Sequence, residues 1–337
     1  MPGSFFGTSA DIAFMGEWVE IPPDGHVPQL VLREFRAGSK PMRSSMMKFL
    51  LRNRPFKILI SSVAALCVSA CSGVLFGGMN SLSGSKSLEQ TRDITFDEAN
   101  ALQLDVYRPA QTQDATVVVF FYGGNWRNGE RGDYRWVGEA LAREGVVAII
   151  PDYRKFPIVR LDGFMSDAAS AVAWAKAHAV EYGGNPERLV VMGHSAGAHL
   201  GALLVTDARW LEAKQMVPKD VCGFVGLAGP YDFAPITNPD LREIFGERSA
   251  EQQRSQPIRF VDGDEPPMLL LHGSADTTVY PRNTEHLGAA LNKAGVTEKT
   301  VIYPGLTHVR MLLGLSGRFA KDAPIMSDSM QFIRTCR

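Results

Sequence analysis

The chain has 337 residues, of which 45% are hydrophobic, and its 35 basic and 36 acidic residues give a formal net charge of −1. This length accommodates one large α/β domain or two small ones. The near-neutral charge, without a dense basic stripe, argues against nucleic acid as the main partner.

The first 70 residues differ in pattern from the rest of the chain. Residues 1–46 are rich in Gly, Pro and Ser and show no sustained periodicity, so we expect a non-structural upstream extension. In residues 47–70, four basic residues precede an uncharged apolar run, and Ser69 and Ala70 then lead to Cys71. A basic region, a short apolar region and a small-residue site are the three parts of a secretory signal peptide.

The end of this segment resembles a bacterial lipobox, whose cysteine becomes the lipidated first residue of the mature protein. The resemblance implies a protein of the bacterial cell envelope, anchored in the outer membrane by lipid on Cys71, with its catalytic domain in the periplasm. Two other interpretations stay open, namely an uncleaved span that continues through residues 73–79 and a buried core helix. Residues 71–90 are then expected to form a flexible tether, and residues 91–337 the folded domain.

Two cysteines, Cys222 and Cys336, lie in the predicted domain. An oxidising periplasm permits a disulfide between them. Two cysteines do not make a disulfide framework, however, so the sequence leaves their pairing open and favours unpaired thiols.

The hydrophobic pattern from residue 92 onward predicts alternating strands and helices. Most predicted strands are uninterrupted apolar runs, which are typical of parallel strands buried on both faces. The predicted strands are 92–96, 102–108, 116–121, 146–150, 189–192, 224–227, 268–271 and 299–303, and the predicted helices are 134–144, 163–182, 198–205, 283–294 and one last helix. Residues 233–266, here called the insertion, are polar and weakly helical. This order predicts an α/β fold with a mainly parallel central sheet, helices on both faces and a small insertion.

Residues 193–197 form a G-x-S-x-G motif around Ser195, between a predicted strand and a predicted helix. Such a strand-to-helix turn presents the serine as a nucleophile, and the two glycines provide the space that the sharp turn needs. The motif alone is also compatible with a tight turn in an ordinary α/β sheet. Its interpretation therefore depends on the rest of the chain.

Two further polar residues follow later strands: Asp276 comes after strand 268–271, and His308 comes after strand 299–303. Because reactive groups lie beyond the carboxyl ends of parallel strands, we expect both to meet Ser195 there. His308 is predicted to take the proton of Ser195 and to protonate the leaving group. Asp276 is predicted to hold the imidazole tautomer and to stabilise the imidazolium, whereas His272, which precedes it, is predicted to be structural.

An oxyanion hole needs fixed N–H donors, and two segments offer them. The donors are predicted to be Ala196, directly after the nucleophile, and three residues of the segment 122–126, here called the oxyanion loop: Gly123, Gly124 and Asn125. Three aromatic residues are predicted to line the substrate pocket: Trp126, His199 and Tyr231. For His199, core packing or a hydrogen bond to a neighbouring loop is the alternative.

Together these segments resemble the α/β-hydrolase superfamily, and more narrowly its hormone-sensitive-lipase-like, feruloyl-esterase-like and arylformamidase-like carboxylesterases. The resemblance covers residues 92–336 and is carried by segments 104–109, 122–126, 151–154, 193–199, 266–276 and 305–308. It implies the α/β-hydrolase fold. One position departs from the pattern, because relatives commonly begin the oxyanion loop with His-Gly-Gly and here Tyr122 replaces the histidine. The side chain expected to support that loop therefore differs from the family pattern.

The predicted function is a serine carboxylesterase that cleaves short-chain esters of small molecules through an acyl-enzyme, without metal or other cofactor. An arylformamidase or small-peptide hydrolase is one alternative, and a non-catalytic envelope binding protein is another. The complete set of Ser195, Asp276 and His308 argues against the latter. The insertion has a charged middle and one small apolar cluster at residues 241–245, so we expect acetyl to butyryl esters to be preferred, without interfacial activation. The sequence does not indicate an oligomeric state.

Overall fold

The computed structural model describes residues 77–80, 87–319, 321 and 323–336. The predicted upstream extension, the signal peptide and Cys71 lie outside these residues. The described part contains eight strands: β1 (Leu88–Asp97), β2 (Leu102–Pro109), β3 (Ala115–Phe121), β4 (Val147–Pro151), β5 (Gly184–His194), β6 (Gly223–Leu227), β7 (Met268–Gly273) and β8 (Glu298–Tyr303). β1 begins four residues before the predicted strand and takes up the end of the segment predicted as a tether.

The eight strands form one sheet in the order β1-β2-β4-β3-β5-β6-β7-β8. The β1/β2 and β2/β4 pairs are antiparallel. All the pairs from β4/β3 to β7/β8 are parallel, so the prediction of a mainly parallel sheet is confirmed. The strands β4, β6 and β7 are buried along their whole length because both faces of the sheet are covered there, whereas the edge strand β8 carries Glu298 and Lys299.

Besides the helical residues 77–80, nine α-helices are described: α1 (Arg135–Arg143), α2 (Leu161–His178), α3 (Ala196–Thr206), α4 (Arg209–Glu212), α5 (Pro239–Phe245), α6 (Ser249–Gln253), α7 (Arg282–Ala294), α8 (His308–Leu313) and α9 (Ile325–Ile333). The last predicted helix is thus two helices, α8 and α9. Every residue of α3 is buried, which fits a helix that is apolar on all sides. Among the described residues, no helix has the length and apolar character needed to cross a membrane.

The insertion is more ordered than its polar sequence indicated, because buried amide side chains bind its backbone. Gln256 Oε1 accepts hydrogen bonds from the backbone N–H groups of Phe233, at 2.7 Å, and Ala234, at 3.1 Å. Gln252 Oε1 accepts one from Ile236 N–H at 2.9 Å. These bonds satisfy backbone donors that no strand or helix pairs, and they tie the start of the insertion to the end of α6.

Cys222 and Cys336 form a disulfide, with their Cα atoms 5.6 Å apart. The expectation of unpaired thiols is therefore wrong. Cys222 directly precedes β6 and Cys336 follows α9, and the fold brings these two positions together although 114 residues separate them in the chain. A bridge that closes a loop of this length contributes about 4–5 kcal/mol to stability in the chain-entropy model.

Candidate active site

Ser195 lies in a sharp turn between the end of β5 and the start of α3. Its φ of 55° and ψ of −123° are rarely adopted by a non-glycine residue. The neighbouring glycines make the turn possible: a Cβ on Gly193 would lie 2.4 Å from Gly197 O, and one on Gly197 would lie 2.0 Å from Phe121 O. The predicted need for small residues on both sides of Ser195 is thus a steric one.

Ser195, His308 and Asp276 form a continuous chain of hydrogen bonds. His308 Nε2 lies 2.8 Å from Ser195 Oγ, and His308 Nδ1 lies 2.7 Å from Asp276 Oδ2. A carboxylate only accepts, so Nδ1 carries the proton and Nε2 is left to accept from the serine hydroxyl. The structure therefore brings together the three residues that the sequence selected, at the carboxyl ends of β5, β7 and β8.

Asp276 is held as an ionised carboxylate by several donors. The backbone N–H groups of Thr278 and Val279 each donate to Oδ1 at 2.9 Å. His272 Nε2–H donates to the backbone carbonyl of Val279 at 2.8 Å and also lies 3.2 Å from Oδ2. Burial raises the pKa of Asp276, but the hydrogen bonds from His272 and His308 outweigh it and hold the pKa well below its usual range. The ring of His272 thus ties the segment that follows Asp276 to Thr284, which agrees with the structural role predicted from its position.

His194, the second residue of the motif, contacts both the backbone and the ring of His308. Its Nε2–H donates to the backbone carbonyl of His308 at 3.1 Å, and the two rings lie 4.7 Å apart. Burial and the neighbouring His308 lower the pKa of His194 to about 3, so it remains a neutral donor. Sequence reasoning missed this contact, because the middle positions of a G-x-S-x-G motif carry no signal of their own.

The oxyanion loop lies directly against the nucleophile. A Cβ on Gly123 would come within 3.0 Å of Ser195 Cβ, and Gly124 has a φ of 129° that favours glycine. The carbonyl of Gly124 accepts from the backbone N–H groups of Arg127 and Asn128, three and four residues later. Within the described part of the chain, the backbone N–H groups of Gly124, Asn125 and Ala196 donate to no protein acceptor, which is what an oxyanion hole requires.

Tyr122 supports this loop at the position where relatives commonly have histidine. Its hydroxyl donates to Asp152 Oδ1 at 2.7 Å and accepts from Lys155 Nζ at 2.9 Å. Its carbonyl accepts from Tyr153 Oη–H at 3.0 Å, and its ring stacks on Tyr134 and Tyr153 with centroids 5.0 Å apart. Burial raises the pKa of Tyr122 far above its usual range, so the hydroxyl stays protonated.

The three residues predicted to line the substrate pocket are all buried among protein side chains. His199 and Tyr231 are 0% exposed and Trp126 is 3% exposed. Trp126 Nε1–H donates to His199 Nδ1 at 3.2 Å, and the backbone N–H of Tyr231 donates to Asn283 Oδ1 at 3.0 Å. His199 makes the hydrogen bond to a neighbouring loop that was its alternative, and the lining of the substrate pocket by these three residues stays a prediction.

The described residues contain no group of three or more His, Cys, Asp or Glu side chains placed to hold a metal ion. A hydroxyl, a neutral imidazole, an ionised carboxylate and unengaged N–H donors are the groups used in acyl transfer through a serine nucleophile.

The proteins that this chain is similar to in sequence include ester hydrolases. The sequence model of the BD-FAE family matches residues 104–291. An isoprenylcysteine alpha-carbonyl methylesterase of Arabidopsis thaliana is 29% identical over 258 residues, which are 70% of this chain and 60% of the relative. A probable carboxylic ester hydrolase of Mycobacterium tuberculosis, LipM, is 31% identical over 254 residues, 68% of this chain and 58% of the relative. The chain spans between half and three fifths of the length of the curated relatives that it matches.

Structural comparison gives the same fold. The apo form of Thermogutta terrifontis esterase 2 superposes with a TM-score of 0.60 at 26% identity, covering 74% of this chain and 93% of the esterase. A truncated carbohydrate esterase from gut microbiota superposes with a TM-score of 0.65 at 20% identity, covering 75% and 98%. With the strand order above, these likenesses show the α/β-hydrolase fold.

Proposed function

We propose that this chain, which belongs to the BD-FAE family, is a serine carboxylesterase that cleaves short-chain carboxylic esters through an acyl-enzyme. The observation that carries the proposal is the continuous hydrogen-bond chain from Ser195 through His308 to Asp276, with distances of 2.8 and 2.7 Å. The unengaged N–H groups of Gly124 and Ala196 beside Ser195 support it. The esterase names of the relatives support the same reaction class.

In the first half of the reaction, Ser195 Oγ attacks the ester carbonyl carbon while its proton passes to His308 Nε2. The carbonyl oxygen becomes an oxyanion, which the N–H groups of Gly124, Asn125 and Ala196 stabilise. The ester C–O bond then breaks, and His308 returns its proton to the departing alcohol. Asp276 stays ionised and stabilises the imidazolium while it exists.

In the second half, water replaces the alcohol. The water molecule attacks the acyl-enzyme while His308 takes its proton, and the same N–H groups stabilise the second oxyanion. Collapse of this intermediate breaks the bond to Ser195 Oγ, which regains its proton from His308. The products are a carboxylic acid and the free enzyme, so each cycle consumes one water molecule.

A short acyl chain is supported by the state of the insertion. In the apolar cluster of the insertion, Ile244 and Phe245 are only 1% and 3% exposed. Neither side chain therefore contributes to an exposed apolar surface such as a lipase lid presents to lipid. The Thermogutta terrifontis esterase has been solved with propionate and with butyrate bound. We expect acetyl to butyryl aryl esters to be turned over faster than decanoyl esters. A maximum at long chains, or a rate jump when the substrate forms micelles, would contradict this expectation.

Fluorophosphonate labelling tests the function itself, because the probe reacts with an activated serine. We expect the wild-type chain to incorporate one probe at Ser195 and the Ser195→Ala variant to incorporate none. The Thermogutta terrifontis esterase has been solved phosphoramylated by tabun, an organophosphorus compound of the same reactivity. Absence of both labelling and ester turnover would favour the non-catalytic alternative. Formamides in the same substrate screen test the amide alternative, which faster formamide than ester turnover would favour.

We further propose that the protein is exported and anchored through a lipid on Cys71, with the catalytic domain in the periplasm. The signal-peptide pattern supports this location, as does the disulfide between Cys222 and Cys336, because disulfides persist in oxidising compartments. Replacement of Cys71 by alanine should abolish the incorporation of labelled palmitate. Palmitate labelling that persists in this variant would exclude Cys71 as the lipid site.

A further inference from the structure

His199 lies in the first turn of α3, and each nitrogen of its buried ring has one partner. Nδ1 lies 3.2 Å from Trp126 Nε1, and an indole N–H only donates, so Nδ1 is the acceptor. Nε2 lies 2.6 Å from the backbone carbonyl oxygen of Ser255, which only accepts, so Nε2 is the donor. The two bonds together require a neutral imidazole protonated on Nε2.

The partners of His199 come from three separate parts of the site. Trp126 is the last residue of the oxyanion loop, and Ser255 lies in the insertion just after α6. The backbone N–H of His199 donates to the carbonyl of Ser195 at 3.0 Å. One residue therefore connects the nucleophile's own backbone, the oxyanion loop and the insertion.

The oxyanion loop needs such a connection because its backbone is strained. Asn125 and Trp126 have φ angles of 54° and 55°, in the left-handed region that favours glycine. Two consecutive non-glycine residues keep this conformation only when surrounding contacts hold them there. Trp126 makes these contacts through its carbonyl, which accepts from Phe156 N–H at 2.9 Å, and through its indole N–H, which donates to His199.

Aromatic rings of the insertion enclose the Trp126 side chain. Phe245 meets it edge-on with ring centroids 4.8 Å apart, and Phe233 stacks on it at 6.2 Å. The His199 ring stands at 90° to the indole with centroids 5.1 Å apart. The phenylalanines fill space around the indole, and His199 supplies the acceptor that sets its rotation.

We propose that His199 is a positioning residue of the esterase reaction: it holds Trp126, and through Trp126 the N–H donors of Gly124 and Asn125, where they meet the oxyanion. The inference rests on the proposed function. Without the hydrogen bond to Trp126, the strained loop relaxes and its donors move away from the developing negative charge. Because these donors contribute most in the transition state, kcat falls while KM changes little.

Two substitutions separate the two hydrogen bonds of His199. In His199→Asn, the amide oxygen takes the place of Nδ1 and keeps the acceptor for Trp126. In His199→Gln, the amide nitrogen takes the place of Nε2 and keeps the donor to Ser255. Trp126→Phe removes the indole N–H while keeping an aromatic ring. His178→Gln is the matched control at a half-buried histidine at the end of α2.

The variants are measured in the full chain on a short-chain aryl ester. We expect kcat to fall about 10- to 100-fold in His199→Gln and Trp126→Phe, with little change in KM. His199→Asn should keep most of the wild-type kcat, and His178→Gln should keep all of it. The double variant His199→Gln/Trp126→Phe should lose no more kcat than the more affected of the two single variants. Equal losses in His199→Asn and His199→Gln, an unchanged kcat in Trp126→Phe, or losses that follow the melting temperature alone would overturn the proposal.

A second measurement does not depend on turnover. In ¹H–¹⁵N spectra, the indole signal of Trp126 is identified by its absence from the spectrum of Trp126→Phe. Exchange of this indole proton with solvent should be slow in the wild type and in His199→Asn, and fast in His199→Gln. Fast exchange in the wild type would also overturn the proposal. If the wild type hydrolyses no ester, the proposed function fails; if it does and His199→Gln keeps its kcat, the inference on His199 alone fails.

Discussion

The two halves of the candidate site are built in different ways. The acid–base half consists of Ser195, Asp276 and His308, each in the first residues after its strand, β5, β7 or β8. The oxyanion half depends on contacts between distant segments: Trp126 and Ser255 are 73 and 56 residues from His199 in the chain. The first half is placed by the ends of neighbouring parallel strands, the second by side chains that meet only after folding.

This difference explains which contacts support each half. Asp276 is held by backbone donors two and three residues away, at Thr278 and Val279. The oxyanion loop is held by Tyr122, which reaches Asp152 after β4, and by Trp126, which reaches α3 and the insertion. We therefore expect substitutions in the acid–base half to abolish the chemistry itself. Substitutions around the oxyanion loop should instead reduce the reaction rate by degrees.

Removal of the nucleophile should have the largest effect. Ser195→Ala should lower ester turnover about 10⁴- to 10⁶-fold, because the nucleophile and its base act as one unit. Steady-state kinetics with a urea unfolding control would measure this effect. Ser170→Ala, which removes a hydroxyl that donates to Ser166 O within α2, is the matched control and should keep full turnover. A folded Ser195→Ala chain with near-normal turnover would place the active site elsewhere.

Asp276→Asn should lower kcat less than Ser195→Ala does, by about 10³- to 10⁴-fold. The backbone donors at Thr278 and Val279 keep the amide oxygen, so the amide NH₂ turns towards His308 and favours the wrong imidazole tautomer. The amide also cannot stabilise the imidazolium by charge. Measurement of kcat against pH would follow the loss, and turnover close to that of the wild type would contradict the role of Asp276 in the acid–base half.

His199 links stability to pH in the oxyanion half. Burial lowers its pKa from 6.5 to about 4, so between these values the unfolded chain binds a proton that the folded chain does not. The free energy of unfolding should therefore fall as pH drops from about 6.5 to 4, by up to about 3 kcal/mol from this residue. His199→Gln lacks the proton site and should show a flatter dependence in urea unfolding from pH 4 to 7. Parallel curves for the two chains would exclude this linkage.

Tyr122→Phe should have the smallest effect. It removes the hydroxyl that donates to Asp152, but Asp152 keeps the backbone N–H of Arg131 at 2.9 Å, and the ring stacking remains. We expect a loss of about 1–2 kcal/mol in the free energy of unfolding and less than about tenfold in kcat. Thermal unfolding and steady-state kinetics would measure both. A hundredfold loss of kcat would mean that Tyr122 acts at the oxyanion itself.

Features that depend on local pattern were predictable from the sequence. The apolar runs located the parallel strands, and the motif around Ser195 located the turn between β5 and α3. Asp276 and His308 followed from the same patterns, because each lies beyond a recognisable strand. Hydrophobic periodicity and turn chemistry act over a few residues, so they can be recognised before the fold is known.

Features that depend on partners elsewhere in the chain could not be predicted. The sequence of the insertion is polar, and this polarity did not indicate that Gln252 and Gln256 are buried. Their amides satisfy backbone groups that only the folded chain brings near them. The pairing of Cys222 with Cys336 depends on the approach of two segments 114 residues apart.

The fold class, the carboxyl ends of the strands and the three side chains that meet there follow from short-range patterns in the sequence. The contacts that hold the oxyanion loop, by contrast, form only in the folded chain. Tyr122 at the start of the loop and Trp126 at its end take their partners from the segment after β4, from α3 and from the insertion. A side chain's hydrogen-bond partner is a property of three-dimensional contact, and a buried histidine such as His199 has the same one-letter code whether it lines a pocket or supports a neighbouring loop.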